Sequence, residues 1–304
     1  MLSAAILSGF FISPSVSVST TDFVWSKGSG PTENYSPNVL SELEYSDLKA
    51  QGYGLDIGYM YRIKTGLYLY SEISRSDLDI KGGEVRDSDW AGNNKTDEFS
   101  RSTSKVKDEG ISSMTYELGI QTRIFGSPDH YITFLIGEDS TDINLVMTDG
   151  VQDIWNPELI GLEPSEFGPG DAIVGLNSTY DAEFSSNFFG LKTEHVFSWG
   201  TISLTAKKYD IKYEAKANWN LREEFAHPVS FRHESDGNGM DIEVGYSYLL
   251  SDNWDLFIEF SHRKWDIDSG YDQIFFGDGQ SVMLRFNGAE LNSESYTIGT
   301  KYYF

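Results

Sequence analysis

Asp87 and Asp89 are the residues of this chain best placed for chemistry. Carboxylates two apart on an extended segment point to the same side, roughly 6.6 Å from one another. Such a gap can hold one water between the pair and a facing base, the arrangement that activates a nucleophile for hydrolysis. Asp77/Asp79 and Asp266/Asp268 repeat the spacing, so spacing alone selects nothing; Gly82, Gly83 and Trp90 on its flanks set the first pair apart. The facing base would be a histidine, and His227, preceded by Glu223 and Glu224, and His233, followed by Glu234, are the candidates in polar stretches. A loop histidine beside acids is more often simply solvated.

Other constellations are weaker. The run Asp266-Ile267-Asp268-Ser269-Gly270-Tyr271-Asp272 has a calcium-loop flavour, yet it lacks the central acid and the closing bidentate Glu, which makes an acidic loop tip the plainer reading. His130 and His195 fall at the opposite end of their strands from the long loops. No Ser-His-Asp arrangement, phosphate loop or zinc motif is present, and no cofactor is called for. The absence of Cys removes thiol catalysis and thiolate metal sites. A net charge of −24, from 23 Lys+Arg against 47 Asp+Glu, opposes nucleic-acid binding and favours cationic partners, such as cationic peptides, or a plainly solvated acidic surface.

An extended Asp pair needs strands to hold it, and the chain is built of them. Hydrophobics are only 39%, aromatics 14%, and no apolar run approaches the roughly 18 residues of a transmembrane helix. Apolar and polar residues instead alternate, with aromatic residues crowding the strand ends as an interfacial girdle does. Tyr53, Leu55, Ile57, Tyr59, Tyr61 and Ile63 oppose Asp56 and Arg62; Met114, Tyr116, Leu118 and Ile120 oppose Glu117 and Arg123; Ile242, Val244, Tyr246 and Tyr248 oppose Glu243. The last segment places Tyr296, Ile298, Thr300, Tyr302 and Phe304 on one face and Thr297, Gly299 and Lys301 on the other.

About ten such segments follow one another. The first lies near 22–30 and the second runs from about 39 to 63. Tight turns at Lys64-Thr65-Gly66, Gly126-Ser127-Pro128-Asp129, Ser198-Trp199-Gly200 and Ser251-Asp252-Asn253 alternate with long polar loops near 83–111, 147–178, 217–237 and 268–288. That asymmetry predicts an all-β, ten-stranded antiparallel up-and-down transmembrane β-barrel with short periplasmic turns and long extracellular loops. A soluble barrel would reverse the faces. Asp56, Glu72, Glu117, Arg123, Glu243 and Glu259 mix both signs with Gly on one face, which suits a packed lumen better than a solvated surface. A strand of about 25 residues spans roughly 80 Å, so even tilted it rises well beyond a 25 Å apolar band. The barrel should project above the membrane, and at ten strands its interior is too narrow for a wide channel.

At the amino end, an apolar stretch from Ala4 to Ile12 precedes Ser15-Val16-Ser17-Val18-Ser19, whose small residues two apart suit signal-peptidase cleavage. Residues 1–19 therefore read as a signal-like segment outside the fold, and 20–304 as a single barrel domain in the bacterial outer membrane.

The segment Gly82-Gly83-Glu84-Val85-Arg86-Asp87-Ser88-Asp89-Trp90, just after the third strand, resembles the omptin segment in which two glycines precede Asp-x-Asp-Trp, and Leu40-Ser41-Glu42-Leu43-Glu44-Tyr45 is similar to the start of that family's second strand. Omptins are outer-membrane aspartyl-type endopeptidases, and the resemblance implies that Asp87 and Asp89 form the first half of their water-activating site. The second half, an Asp-x-His following strand seven, is missing: Asn218, Trp219, Asn220 and Leu221 occupy its place, and Asp-x-His occurs nowhere in the chain. The Tyr, Glu and Arg with which omptins grip lipopolysaccharide fall near Glu138, Ser140 and Asp142, which cannot hold phosphate as Arg would. The leading expectation is thus an omptin-like surface barrel without the full protease site, embedded in outer-membrane lipid and lipopolysaccharide. Two alternatives stand beside it: an endopeptidase cleaving at basic residues with Asp87, Asp89 and a relocated His227, and a small porin.

Overall fold

The computed structural model describes residues 9–304 apart from 33, 108 and 125. Its thirteen strands are β1 (Gly9–Gly28), β2 (Ser41–Lys64), β3 (Leu67–Trp90), β4 (Glu98–Val106), β5 (Gly110–Arg123), β6 (His130–Trp155), β7 (Ala172–Ile173), β8 (Ser178–Phe197), β9 (Gly200–Asn218), β10 (Phe231–Ser251), β11 (Trp254–Ile267), β12 (Gly270–Phe275) and β13 (Ser281–Tyr303). β4 and β5 both bridge β3 to β6, so they are the upper and lower halves of one wall strand. β11 and β12 divide another between β10 and β13 in the same way, and β7 is a short appendage on β6. The wall therefore has ten strands. β1 pairs with β13 from Phe11↔Tyr303 to Gly28↔Arg285, which closes it into a barrel with no free edge.

Short turns join strands at the lower end, where Gly66 supplies the positive φ (78°) that the β2–β3 turn requires. Longer connections, of which 156–177 is the longest, gather at the upper end.

The wall has two storeys of opposite polarity. In the lower one, Leu55, Ile57, Ile73, Leu118, Phe134, Ile136, Leu204, Val244, Ile258 and Ile298 face outward and are exposed, a band that only hydrocarbon can cover favourably. In the upper one, Leu43, Tyr45, Leu48, Tyr180, Phe184, Tyr213, Phe231, Trp265 and Phe286 point inward and are buried, while Glu44, Arg86, Asp79 and Glu214 face out. Bulges make the exchange possible. Asp47 adopts a left-handed conformation (φ 52°), with its N–H donating to Asp22 Oδ1 at 2.9 Å, and the slip moves the inward set of β2 from Leu43 and Tyr45 to Leu48 and Ala50. Arg introduced at Ile258, in the middle of the band, is expected to cost about 2–4 kcal/mol of folding into lipid vesicles, whereas Asn292→Arg, outward above it, should cost little; urea titration of vesicle insertion would separate the two.

Two expectations need correction. The signal-like stretch is, over residues 9–19, the lower half of β1: Ser13 and Ser19 face a packed lumen and Val16 and Val18 the outside. Serine and valine two apart satisfy a peptidase and a barrel wall equally well, which is why the sequence misled; residues 1–8 lie outside the described residues. The long loops are also shorter than expected. Much of 83–111, 147–178, 217–237 and 268–288 is upper-storey wall, and its polar outward face made it read as loop.

Candidate functional site

Asp87 and Asp89 stand in the wall near the top of β3. Their cross-strand partners are Leu43 and Ser41 on β2, both buried, so the two carboxylates face the lumen above the aromatic core. Asp87 Oδ1 is sealed from solvent and has no hydrogen-bond partner. Burial, with Asp89 beside it, pushes the Asp87 carboxyl up to about 8 against the pull of Arg222 and Lys27. Burial also raises Asp89, opposed by the Ser41 hydroxyl and by Lys27. At neutral pH Asp87 therefore keeps its proton in the folded barrel.

His227 is not brought to this pair. It is exposed in the 219–230 loop, and its Nδ1 donates to Asn218 Oδ1 at 2.6 Å. It lines a hollow of about 400 Å³ with Lys216, Arg232 and Phe275, residues that point to the outer face of the wall.

His233 faces inward and is fully buried. The Tyr180 hydroxyl is hydrogen-bonded to its Nδ1 at 2.9 Å and to the Tyr213 hydroxyl at 2.5 Å, and Nε2 is 3.4 Å from Asp272 Oδ1. Asp272 is in turn 3.6 Å from Lys27 Nζ. Burial drives His233 below its usual range, opposed by Asp272; burial works against the Asp272 charge as well, but Lys27 and His233 outweigh it and hold that carboxyl low. The imidazole is wedged among Trp25, Phe231 and Phe286 with ring centroids at 4.7, 5.1 and 4.5 Å. It is sealed in that packing, with Nε2 and both Asp272 oxygens buried and without a hydrogen-bond partner, rather than a base free to meet water.

Sequence reasoning named His233 but missed its partner. Asp272 looked like part of an acidic loop tip, whereas it is the direct cross-strand neighbour of His233 in the β10–β12 register. The alternations Phe231/His233 and Asp272/Ile274 carried that signal, for each polar residue shares a face with a core side chain. His130 and His195 pair across β6 and β8 at the lower end, far from this cluster. Among the described residues, no group of three or more His, Cys, Asp and Glu is placed to hold a metal.

Lower down, the lumen is cross-linked by charge. Lys207 lies 3.0 Å from Glu117 and 3.5 Å from Glu243; Arg263 meets Asp241 at 2.9 Å; Gln121 donates to Glu194 at 2.5 Å. Both signs pair inside, as the sequence predicts. Lys207→Met would leave the buried Glu117 and the half-buried Glu243 without their cation and is expected to cost about 3–5 kcal/mol, measurable as a fall in the urea midpoint of the refolded barrel.

A family model described as Protochlamydia outer membrane protein matches residues 19–304. No curated protein matches the chain in sequence. Among solved structures, the outer membrane protease OmpT of Escherichia coli is similar over 99% of this chain and 100% of its own, with a TM-score of 0.69 at 15% identity, a likeness of fold alone. A FadL homologue and OprG, both of Pseudomonas aeruginosa, match 98% of the chain each, covering 91% and 96% of their own lengths at 9% and 12% identity. Their TM-scores, 0.34 in both cases, are too low to argue from.

Proposed function

This chain belongs to the Protochlamydia outer membrane protein family and is an omptin-like β-barrel of the bacterial outer membrane; on that premise we propose that it serves as a closed, non-proteolytic surface barrel whose working surface is its extracellular loops. The observation that carries this reading is the upper lumen. Where a protease needs an open cleft and a porin an open channel, Trp25, Tyr45, Tyr180, Phe184, Tyr213, Phe231, Trp265 and Phe286 fill the space at nearly zero exposure. His233 is fully buried inside that packing, its Nδ1 against the Tyr180 hydroxyl and its Nε2 3.4 Å from Asp272, and His227 opens on the outer face. Below, ion pairs cross-link the barrel at the level of the lipid band.

Outer-membrane lipid covers that band. At the border above it, Glu138 and Asp142 offer no cation to a lipopolysaccharide phosphate, so lipopolysaccharide would meet this barrel as solvent rather than as a gripped ligand.

The test is a pair of measurements on one refolded sample with lipopolysaccharide present. A planar bilayer should stay electrically silent, and a fluorogenic peptide with paired basic residues should remain uncut whether Asp87 is present or replaced by Ala. Cleavage abolished by Asp87→Ala and by His227→Ala would establish the endopeptidase instead; steady conductance would establish the porin.

A further inference from the structure

The upper-end connection 156–177 is unlike the other loops. It carries Glu158, Glu163, Glu166 and Asp171, all exposed, and no Lys or Arg. It also shows large apolar side chains to solvent: Leu159, Ile160, Leu162, Phe167 and Val174, the last at 85% exposure, with Leu221 of the neighbouring loop alongside. Isolated exposed apolar residues need no explanation, but this many within one loop mark an interaction surface.

The loop is built to keep that surface in place. Pro157, Pro164 and Pro169 restrict its backbone, and Pro157 begins the 3₁₀ turn Pro157–Ile160 that displays Leu159 and Ile160. The Trp155 indole N–H donates to Ser165 Oγ at 3.0 Å, with Phe167 edge-on to the Trp155 ring. Gly170 N–H donates to the Gln152 carbonyl at 2.7 Å, and β7 adds a short pairing to β6. Asn220 stitches the two loops together, donating from Nδ2 to the Gly175 carbonyl at 2.8 Å and accepting from the Asn177 N–H at 2.9 Å. A surface held rigid before binding loses little entropy when it is covered.

We propose that this platform docks a cationic amphipathic segment of another protein, its apolar side chains seating on Leu159, Ile160, Leu162 and Val174 and its Lys or Arg residues meeting the surrounding acids. Charge selects this occupant. A second copy of the chain would bring the same four acids against themselves, and a membrane surface, which is neutral or anionic, would offer the acids nothing while asking them to give up water. The inference rests on the closed-barrel reading, in which the loops are the working surface.

The probe is a short synthetic amphipathic helix of Leu and Lys, fluorescently labelled, with a Leu and Glu version as its counterpart; binding is followed by anisotropy to the barrel refolded in zwitterionic micelles. Each variant is first shown to be folded by its electrophoretic shift on heating. The Lys peptide should bind about tenfold or more tightly than the Glu peptide, and L162S/V174S should weaken it by about as much. Replacing Glu158, Glu163 and Glu166 together by Gln should abolish the preference and the salt dependence. Equal binding to wild type and to both loop variants would overturn the proposal, as would flotation with phosphatidylcholine vesicles, or self-association, that L162S/V174S abolishes. Conductance or peptide cleavage by the same sample would sink the closed-barrel reading and leave the binding result standing; loss of Lys-peptide binding would do the reverse.

Discussion

Trp265→Ala is expected to cost the barrel about 3–5 kcal/mol, because it removes a fully buried indole from the centre of a packed lumen. Trp265 lies 5.3 Å from Phe184 and 5.5 Å from Tyr209 between ring centroids, with the Arg263 guanidinium 4.1 Å from its own. Its indole N–H donates to Asp241 Oδ1 at 3.2 Å, so truncation also strips a partner from a buried carboxylate, an added cost of about 1–3 kcal/mol. Gly239 faces the ring so closely that any side chain there would collide with it, and Gly239→Ala should be destabilising in the same direction. Urea unfolding of the refolded variants, read by tryptophan fluorescence and electrophoretic shift, measures both. A Trp265→Ala barrel within about 1 kcal/mol of wild type would mean that the lumen is not the dense core that the closed-barrel reading requires.

How much of this was legible beforehand follows from the physics of each storey. In the lower storey lipid demands apolar residues at every second position, and Leu55/Ile57, Leu118/Ile120 and Ile242/Val244 announce it. The strand count, the closure and the outer-membrane location all rested on that band. In the upper storey water covers the outside, so Glu84 and Arg86 are polar, and the inward face of the same strand carries Asp87 and Asp89 beside Val85. With polar residues on both faces, the period of two vanishes and wall reads as loop. Asp87 and Asp89 could still be found, since the partners of an Asp-x-Asp pair lie in one short segment. The His233–Asp272 pair could not be read with the same ease. The local alternations place each residue on an inward face, but their pairing depends on the break after Ile267 that sets β12 in register with β10, a tertiary event.

Asp87→Asn should stabilise the barrel, and more at pH 8 than at pH 4. The folded Asp87 carboxyl is raised to about 8, while in the unfolded chain it titrates near its ordinary value of about 4. Between those limits the unfolded state releases a proton that the folded state keeps, so the unfolded state binds fewer protons and stability falls as pH rises. The benefit of the protonated acid is complete below about pH 4, shrinks through the window and is gone above about 8. One pKa unit is about 1.4 kcal/mol, which sets an upper limit on the order of 5 kcal/mol for the whole window, and water entry around a half-buried group will reduce it. Asn keeps the shape without titrating. The variant should match wild type near pH 4 and exceed it progressively toward pH 8, with the difference read from urea midpoints at each pH. Asp89 titrates beside it, so Asp87→Asn/Asp89→Asn should flatten the profile further, whereas Asp77→Asn, exposed on the outer face of the same strand and held low by Arg75, should leave the change between pH 4 and 8 in place. Parallel profiles for wild type and Asp87→Asn would mean that the carboxyl is already ionised in the lumen, with Lys27 and Arg222 as its effective partners. A stabilising outcome has a further consequence: an acid held at a cost to the fold, beside a cluster of cations, is where selection for activity would leave its mark. The peptide and conductance assays should therefore be repeated above pH 8, where Asp87 gives up its proton.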